Sequence, residues 1–200
     1  MTNIAVLDIE AKQLVQDWDK PWEAGCSCCC VWISWRGGPM GTMVTYTDSN
    51  LDKLPDLLRA ADVVVTWNGK RYDLPVLEHL CGKLEIRDHC DLMLDCKAVL
   101  GWRPKLEYAA KATLGRGKSG QGDMAPDMFA RGDWGKLVTY CAQDVALTRD
   151  LYLFAKQHGY LLTHSKSSEV PVVVQLRAVR PPNKGRREQT VWDRAARVGV

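Results

Sequence analysis

The chain has 200 residues, of which 46% are hydrophobic and 26% charged, and its formal net charge is +3 at pH 7. These values are typical of one soluble globular domain, and the mild charge allows an anionic partner without requiring one. No apolar stretch approaches the ~18 residues that cross a membrane, and the first residues lack a signal-peptide pattern. We therefore expect a cytoplasmic protein with no membrane partner, whose eight cysteines are reduced thiols.

The first third of the chain predicts strands. Residues 3–7 are short and apolar and end at Asp8, as in a buried strand. Residues 26–35 and 43–47 are rich in small, β-branched and aromatic residues, and turn-forming residues lie between them. We expect these three segments to form an antiparallel meander.

The following segments alternate between helices and one strand. Leucines at helical spacing predict a helix over residues 51–58, and three valines predict a buried strand over residues 63–65. Further helices are expected over residues 74–80, 91–100, 106–114 and, longest of all, 134–157. Residues 115–133 are expected to form a loop. The prediction is an α/β fold, with one domain over residues 1–164 and a basic, mobile tail over residues 165–200 that adds affinity for nucleic acid.

Two carboxylates follow the first predicted strand. Strand side chains alternate with period two, so Asp8 and Glu10 lie on one face and Ile9 points to the opposite face, into the core. Both carboxylates can then reach the same metal ions. The pattern is weak alone, because Asp-x-Glu is expected about once by chance in a chain of this size.

A third carboxylate, Asp73, follows the predicted strand at residues 63–65 across a loop that contains Asn68 and Gly69. It lies where the next helix begins, and a negative charge is favoured there by the helix dipole. Two readings stay open at this point. Asp73 either joins Asp8 and Glu10 at a metal site or simply caps its own helix.

A tyrosine and a fourth carboxylate lie on the long predicted helix. Tyr140 and Asp144 are four residues apart and share a face that is otherwise apolar. A buried aspartate without a partner is costly, and a metal ion would remove that cost. The alternatives are a core tyrosine and a surface ion pair of Asp144 with Arg149 or Lys136.

Three motifs occur in a specific order: Asp8-x-Glu10, then Asn68-Gly-x-x-Tyr72-Asp73-x-Pro, then Tyr140-Cys-x-x-Asp144-Val-x-x-Thr. Together they resemble the tyrosine branch (DEDDy) of the DEDD superfamily of 3′–5′ exonucleases, which have a ribonuclease H-like fold. The stretch that begins Lys105-Leu106-Glu107 is similar to family B polymerase proofreading domains and to YprB-type stand-alone exonucleases. The resemblance spans about residues 3–162. It implies a mixed sheet, antiparallel meander plus parallel strands, flanked by helices.

The resemblance also implies roles for individual residues. Asp8, Glu10, Asp73 and Asp144 would hold two Mg²⁺ or Mn²⁺ ions, which activate a water and stabilise the leaving 3′ oxygen. Tyr140 would orient the attacking water. The substrate would be a 3′ end of single-stranded DNA or RNA, which hydrolysis shortens.

Four further residues are expected to contact substrate. Asn68 would contact the terminal nucleotide, Trp67 would stack on an unpaired base, and Lys105 and Lys118 would meet phosphates. Loop lysines are more often simply solvated, and Trp67 is equally compatible with a core position.

Cys26, Cys28, Cys29 and Cys30 form a single run in a predicted strand, so alternate thiols point to opposite faces. This pattern is unlike the separated pairs of a zinc site, and we expect small buried core residues. Two other functional classes stay open beside the exonuclease. They are a structure-specific endonuclease of the same fold and a catalytically silent nucleic-acid-binding module.

Overall fold

The computed structural model describes residues 2–35, 39–117, 124–164 and 171–176. Five strands form one sheet in the order β3-β2-β1-β4-β5. The strands are β1 Ile4–Glu10, β2 Cys28–Ser34, β3 Thr42–Tyr46, β4 Val63–Thr66 and β5 His89–Asp91. β2 runs antiparallel to both β1 and β3, whereas β4 is parallel to β1 and β5 is parallel to β4. The expected mixed α/β sheet, a meander joined to parallel strands, is therefore confirmed.

Six helices surround this sheet in the part of the chain that the structure describes. They are α1 Leu54–Ala60, α2 Asp73–Cys81, α3 Leu92–Leu100, α4 Leu106–Leu114, α5 Ala125–Ala130 and α6 Trp134–His158. Short 3-10 turns occupy Pro21–Ala24 and Leu51–Lys53. The 3-10 turn at Leu51–Lys53 replaces the first part of the helix expected over residues 51–58. Pro55 then lies in the first turn of α1, where its missing N–H costs nothing.

Two short elements differ from the sequence expectation. α5 lies inside the segment expected to be a loop, and its Ala125 and Met128 are buried. Six residues are too few to show helical periodicity, so burial against the core defines this helix and the local pattern does not. β5 occupies three residues just before α3, where its pairing with β4 creates the strand.

The core has two halves, one on each face of the sheet, because β1 and β2 are buried on both faces. On one face, Ile4 and Val6 pack in a cluster with residues of α6 such as Leu137 and Val145. On the opposite face, Leu7 and Ile9 pack with residues of α1 and α2. Ile9 therefore points away from the face that carries Asp8 and Glu10, as the period-two pattern predicts.

The packed part of the chain continues past residue 164. A second, two-stranded sheet pairs β6, Tyr160–Thr163, with β7, Val172–Gln175. Val174 is fully buried and Leu176 nearly so. Residues 165–170 and 177–200 of the expected tail lie outside the described residues, as do residues 36–38 of the expected turn. Within the described ranges, none of the helices is long and apolar enough to cross a membrane.

Candidate active site

Asp8 and Glu10 lie at the carboxyl end of β1 on one face of the sheet. β1 extends through Glu10, so both acids belong to the strand as their period-two spacing requires, and Glu10 is only 6% exposed. Oxygen atoms of both carboxylates and the sulfur of Cys141 all lie within 4.8 Å of one another. The structure thus brings these two acids together, although the strand alone could not show what covers them.

Asp73 is attached directly to β1 between these two acids. Its Oδ1 accepts a hydrogen bond from the backbone N–H of Ile9 at 3.1 Å, and its side chain is 3% exposed. Asp73 is the first residue of α2, whose capping position is Tyr72, and no side-chain cap bond forms there. The alternative role as a helix cap is therefore not observed, and the carboxylate faces the end of β1.

The electrostatics of Asp73 indicate a crowded acidic site. Burial raises the pKa of its carboxyl group from 3.8 to about 7. Hydrogen bonds from backbone N–H groups, including that of Ile9, oppose this rise, and the charges of Asp91 and Asp144 add to it. An ionised Asp73 is therefore costly here unless a cation compensates its charge.

Tyr140 and Asp144 lie on the inward face of α6, as their spacing predicts. They are 5% and 4% exposed, and α6 packs across β1 and β2. Asp144 is buried, so it does not lie at the surface, where an ion pair with Arg149 or Lys136 was considered. Arg149 pairs with Asp150 at 2.7 Å instead. Lys136 lies 3.6 Å from Asp133. Burial is the main cause of the raised pKa of Asp73, and the charge of Asp144 adds to it.

The thiols of Cys28, Cys30 and Cys141 lie beneath the carboxylates of Asp8 and Glu10. Asp8 pairs across the sheet with Cys30 and Glu10 with Cys28, so both cysteines share the face of the acids. The Cys141 thiol donates to the backbone carbonyl of Asp8 at 3.3 Å, and Cys28, Cys30 and Cys141 are buried in one core cluster. Burial raises the pKa of Cys141. Cys26, Cys28, Cys29 and Cys30 are all buried and free, as expected.

Asp91 holds the loop that precedes Asp73, a function that the sequence analysis missed. Its Oδ1 accepts from the backbone N–H of Asn68 at 2.9 Å, and its Oδ2 accepts from that of Lys70 at 3.0 Å. Oδ1 also caps α3 by accepting from Leu94. The position of Asp91 before a helix signals the cap, but no local pattern signals the bonds to a loop some twenty residues earlier.

The Asn68-Gly69 turn has a conformation that explains both residues. Asn68 has a φ of 72°, a left-handed value that asparagine tolerates better than most residues. A Cβ at Gly69 would lie 2.5 Å from the Cβ of Thr66, so only glycine fits. The hydroxyl of Thr66 accepts from the Gly69 N–H at 3.2 Å. The tight turn that the sequence predicts is therefore built by close backbone approach.

The four expected substrate-contact residues occupy different surroundings. Asn68 lies in the loop before Asp73, and its buried Oδ1 has no hydrogen-bond partner among the described residues. Trp67 is 9% exposed and packs in the core. This position does not support the predicted stacking of Trp67 on a base. Lys105 is exposed at the beginning of α4. Lys118 lies outside the described residues.

Two clefts open beside the carboxylates, and α5 lies between them. The first has a volume of about 430 Å³ and is lined by residues including Glu10, Trp18 and Tyr72. The second, of about 510 Å³, is lined by residues including Met128 and Tyr140. A flexible substrate could therefore approach the acids from either side of α5.

The donor set fits a hard divalent cation. Asp8 and Glu10 lie close together, Asp73 is hydrogen-bonded to the strand between them, and Asp144 lies one turn after Cys141 on α6. Carboxylate oxygens are the ligands that Mg²⁺ and Mn²⁺ prefer. Burial raises the pKa of Asp73, so its charged form is costly here without a cation. Asp8, Glu10, Asp73 and Asp144 could therefore hold divalent metal ions.

A five-stranded mixed sheet with acids at the carboxyl ends of its parallel strands and a helix packed across them defines the ribonuclease H-like fold, a nuclease-type fold. The family model RNase_H_2, described as RNase_H superfamily, matches residues 5–155. The chain belongs to this superfamily. No curated protein matches the chain.

Proposed function

We propose that the protein is a metal-dependent 3′–5′ exonuclease of the tyrosine (DEDDy) type that hydrolyses phosphodiester bonds at single-stranded DNA or RNA ends. The observation that carries the proposal is the attachment of Asp73 to β1, opposite the inward face of α6 that bears Tyr140 and Asp144. Superfamily membership supports a nucleic-acid substrate.

The four carboxylates would hold two divalent cations, Mg²⁺ or Mn²⁺. When bound, such ions lower the pKa of a water that attacks phosphorus and stabilise the leaving 3′ oxygen. The protein's part is to fix these carboxylates before substrate arrives. The hydrogen bond from Ile9 orients Asp73, and the thiols of Cys28, Cys30 and Cys141 fill the space below Asp8 and Glu10.

Tyr140 supports the exonuclease assignment over a general phosphodiesterase. It lies one turn before Asp144, and its side chain lines the second cleft while its hydroxyl is buried on the inward face of α6. A hydroxyl in this place can hydrogen-bond the attacking water and hold it in line with the scissile bond. Its role is positioning, and proton abstraction by the phenol is not required.

A labelled single strand tests the activity. A 5′-labelled oligonucleotide incubated with Mg²⁺ or Mn²⁺ should give a ladder that shortens one nucleotide at a time from the 3′ end, and mononucleotides should accumulate. Asp144→Asn should form these products more slowly by a factor on the order of 10³. Absence of cleavage with either metal would favour the binding module.

A covalently closed circle of the same single strand separates the two nuclease classes. It has no 3′ end, so an exonuclease leaves it intact, whereas an endonuclease linearises it. A linear strand with a blocked 3′ terminus provides the matched control. If the circle is cleaved as fast as the linear strand, the protein is an endonuclease of the same fold and the exonuclease assignment is wrong.

A further inference from the structure

Trp18 stands at the mouth of the first cleft without a role in the site described so far. It lies in the segment of residues 11–20 that directly follows Glu10, and 48% of its surface is exposed. With Glu10 and Tyr72 it lines the cleft of about 430 Å³. A large aromatic side chain is therefore presented to solvent next to a carboxylate that could bind metal.

The ring of Trp18 is held by the two residues that precede Asp73. The guanidinium of Arg71 lies over the ring, 4.8 Å from its centroid, in a cation–π contact. The ring of Tyr72 meets it edge-on, with centroids 6.2 Å apart and planes at 61°. Trp18 is thereby connected to the loop that delivers Asp73 to the site.

The chain on both sides of this contact is anchored. The backbone N–H groups of Lys12 and Gln13 both donate to the carbonyl of Ala24, at 3.1 and 3.2 Å. Trp22, in the adjoining 3-10 turn, stacks on His79 of α2, with ring centroids 5.6 Å apart. Since its support is already ordered, Trp18 can bind a ligand with a small loss of conformational entropy.

The charge of the segment indicates what kind of contact Trp18 can make. Residues 11–20 contain two lysines and two aspartates, so they carry no net positive charge. The segment itself therefore adds no attraction for backbone phosphates, and the positive charge in contact with the ring is that of Arg71. Every base has a π face, and stacking of this kind serves unpaired bases of any sequence.

We propose that Trp18 is a substrate-positioning residue that stacks on an unpaired base of a single-stranded 3′ end and so makes the enzyme selective for unpaired termini. This inference rests on the proposed exonuclease function. A base inside a duplex is stacked and paired, so it would have to leave its partner before it reached the Trp18 ring. Paired ends should be degraded more slowly for this reason.

The test combines a protein change with a substrate change. Each enzyme is given a normal single strand and one whose 3′-terminal nucleotides carry abasic sugars. The wild type should favour the normal strand by about 5- to 150-fold in kcat/KM, mostly through KM. Trp18→Ala should lose this preference, and Trp18→Phe should keep most of it. If Trp18→Ala keeps the preference, the proposal is overturned.

Trp35→Ala is the matched control. Trp35 is also exposed, at 54%, but it follows the end of β2 that pairs with the beginning of β1, opposite to Glu10. This variant should keep the wild-type preference. The salt dependence of binding should be the same in Trp18→Ala and the wild type, since stacking releases no counterions. A reduced salt slope in Trp18→Ala would mean that a phosphate contact was lost instead.

Binding without turnover separates this inference from the proposed function. Anisotropy of a labelled strand, measured on the Asp144→Asn background with Ca²⁺, compares normal and abasic ends without hydrolysis. If the wild type releases no nucleotide but binding still discriminates through Trp18, only the exonuclease activity is refuted. If hydrolysis proceeds and binding discriminates equally in Trp18→Ala, only the stacking role is refuted.

Discussion

Replacing Asp73 with asparagine should stabilise the metal-free protein. Burial raises the pKa of Asp73 from 3.8 to about 7, so near neutral pH the folded state holds a charge that it disfavours. A shift of about three pKa units corresponds to as much as about 4 kcal/mol of lost stability. Asparagine removes the charge and keeps an oxygen that can accept from the Ile9 N–H, so the loop connection survives.

The sign of the pH dependence follows from the raised pKa. Between pH 3.8 and about 7 the folded state binds the Asp73 proton more tightly than the unfolded state does. The contribution of Asp73 to stability therefore falls as pH rises through this window, and its full cost applies above it. Asp73→Asn abolishes this contribution, so its stability in EDTA should depend less on pH over the same range.

Chemical denaturation in EDTA and in excess Mg²⁺ measures both effects. In EDTA at neutral pH, Asp73→Asn should equal or exceed the wild type in its free energy of unfolding. Mg²⁺ should stabilise the wild type by about 3 kcal/mol when its concentration is a hundred times Kd, and should stabilise the variant far less.

Asp52→Asn, at an exposed position in the 3-10 turn before α1, should change neither result. The reasoning is refuted if the stability of the metal-free wild type does not fall between pH 4 and 7 relative to Asp73→Asn. It is equally refuted if Mg²⁺ stabilises both proteins to the same extent.

Four other changes have defined outcomes. Asp144→Asn should lower kcat/KM on a single strand by a factor on the order of 10³, because charge stabilisation by a metal is worth several kcal/mol, and calorimetry should show weaker Mn²⁺ binding. Tyr140→Phe should lower kcat by about 10²-fold with Mn²⁺ affinity unchanged, and an unchanged kcat would remove the phenol from the reaction. Asp91→Asn should cost about 1–3 kcal/mol of stability, read by denaturation, because its amide cannot accept both bonds from the 68–70 loop. Removal of residues 177–200 should weaken binding of a single strand and flatten its salt dependence, and an unchanged salt slope would contradict a role for this basic segment.

The fold was predictable where the local pattern and the tertiary environment agree. α4 spans Leu106–Leu114, the residues that the spacing of its apolar positions indicates, and Ile9 lies on the core face of β1 as alternation requires. α5 and β5 were not predictable, because six and three residues are too short to show a period. Both are defined by their partners, α5 by packing against α6 and β5 by pairing with β4.

The candidate site was likewise predictable from the sequence only in part. The order of the acids along the chain indicated which residues belong together. The hydrogen bond between Asp73 and Ile9 joins positions 64 residues apart, and it depends on the parallel pairing of β1 and β4. The bonds from Asp91 to the loop before Asp73 depend on β5, which the sequence did not show. Trp18 carried no motif, and its exposure beside Glu10 becomes visible only in three dimensions.

The thiols beneath the carboxylates give a physical reason why this site should depend on an external cation. A lysine or arginine in the place of Cys28, Cys30 or Cys141 could pair with the carboxylates and neutralise them from within. The three thiols fill the same space without a positive charge, and burial raises the pKa of the Cys141 thiol. Lys136 and Arg149 of α6 instead pair with acids away from the site. We expect metal removal to affect stability as well as activity, because burial makes the charge of Asp73 costly.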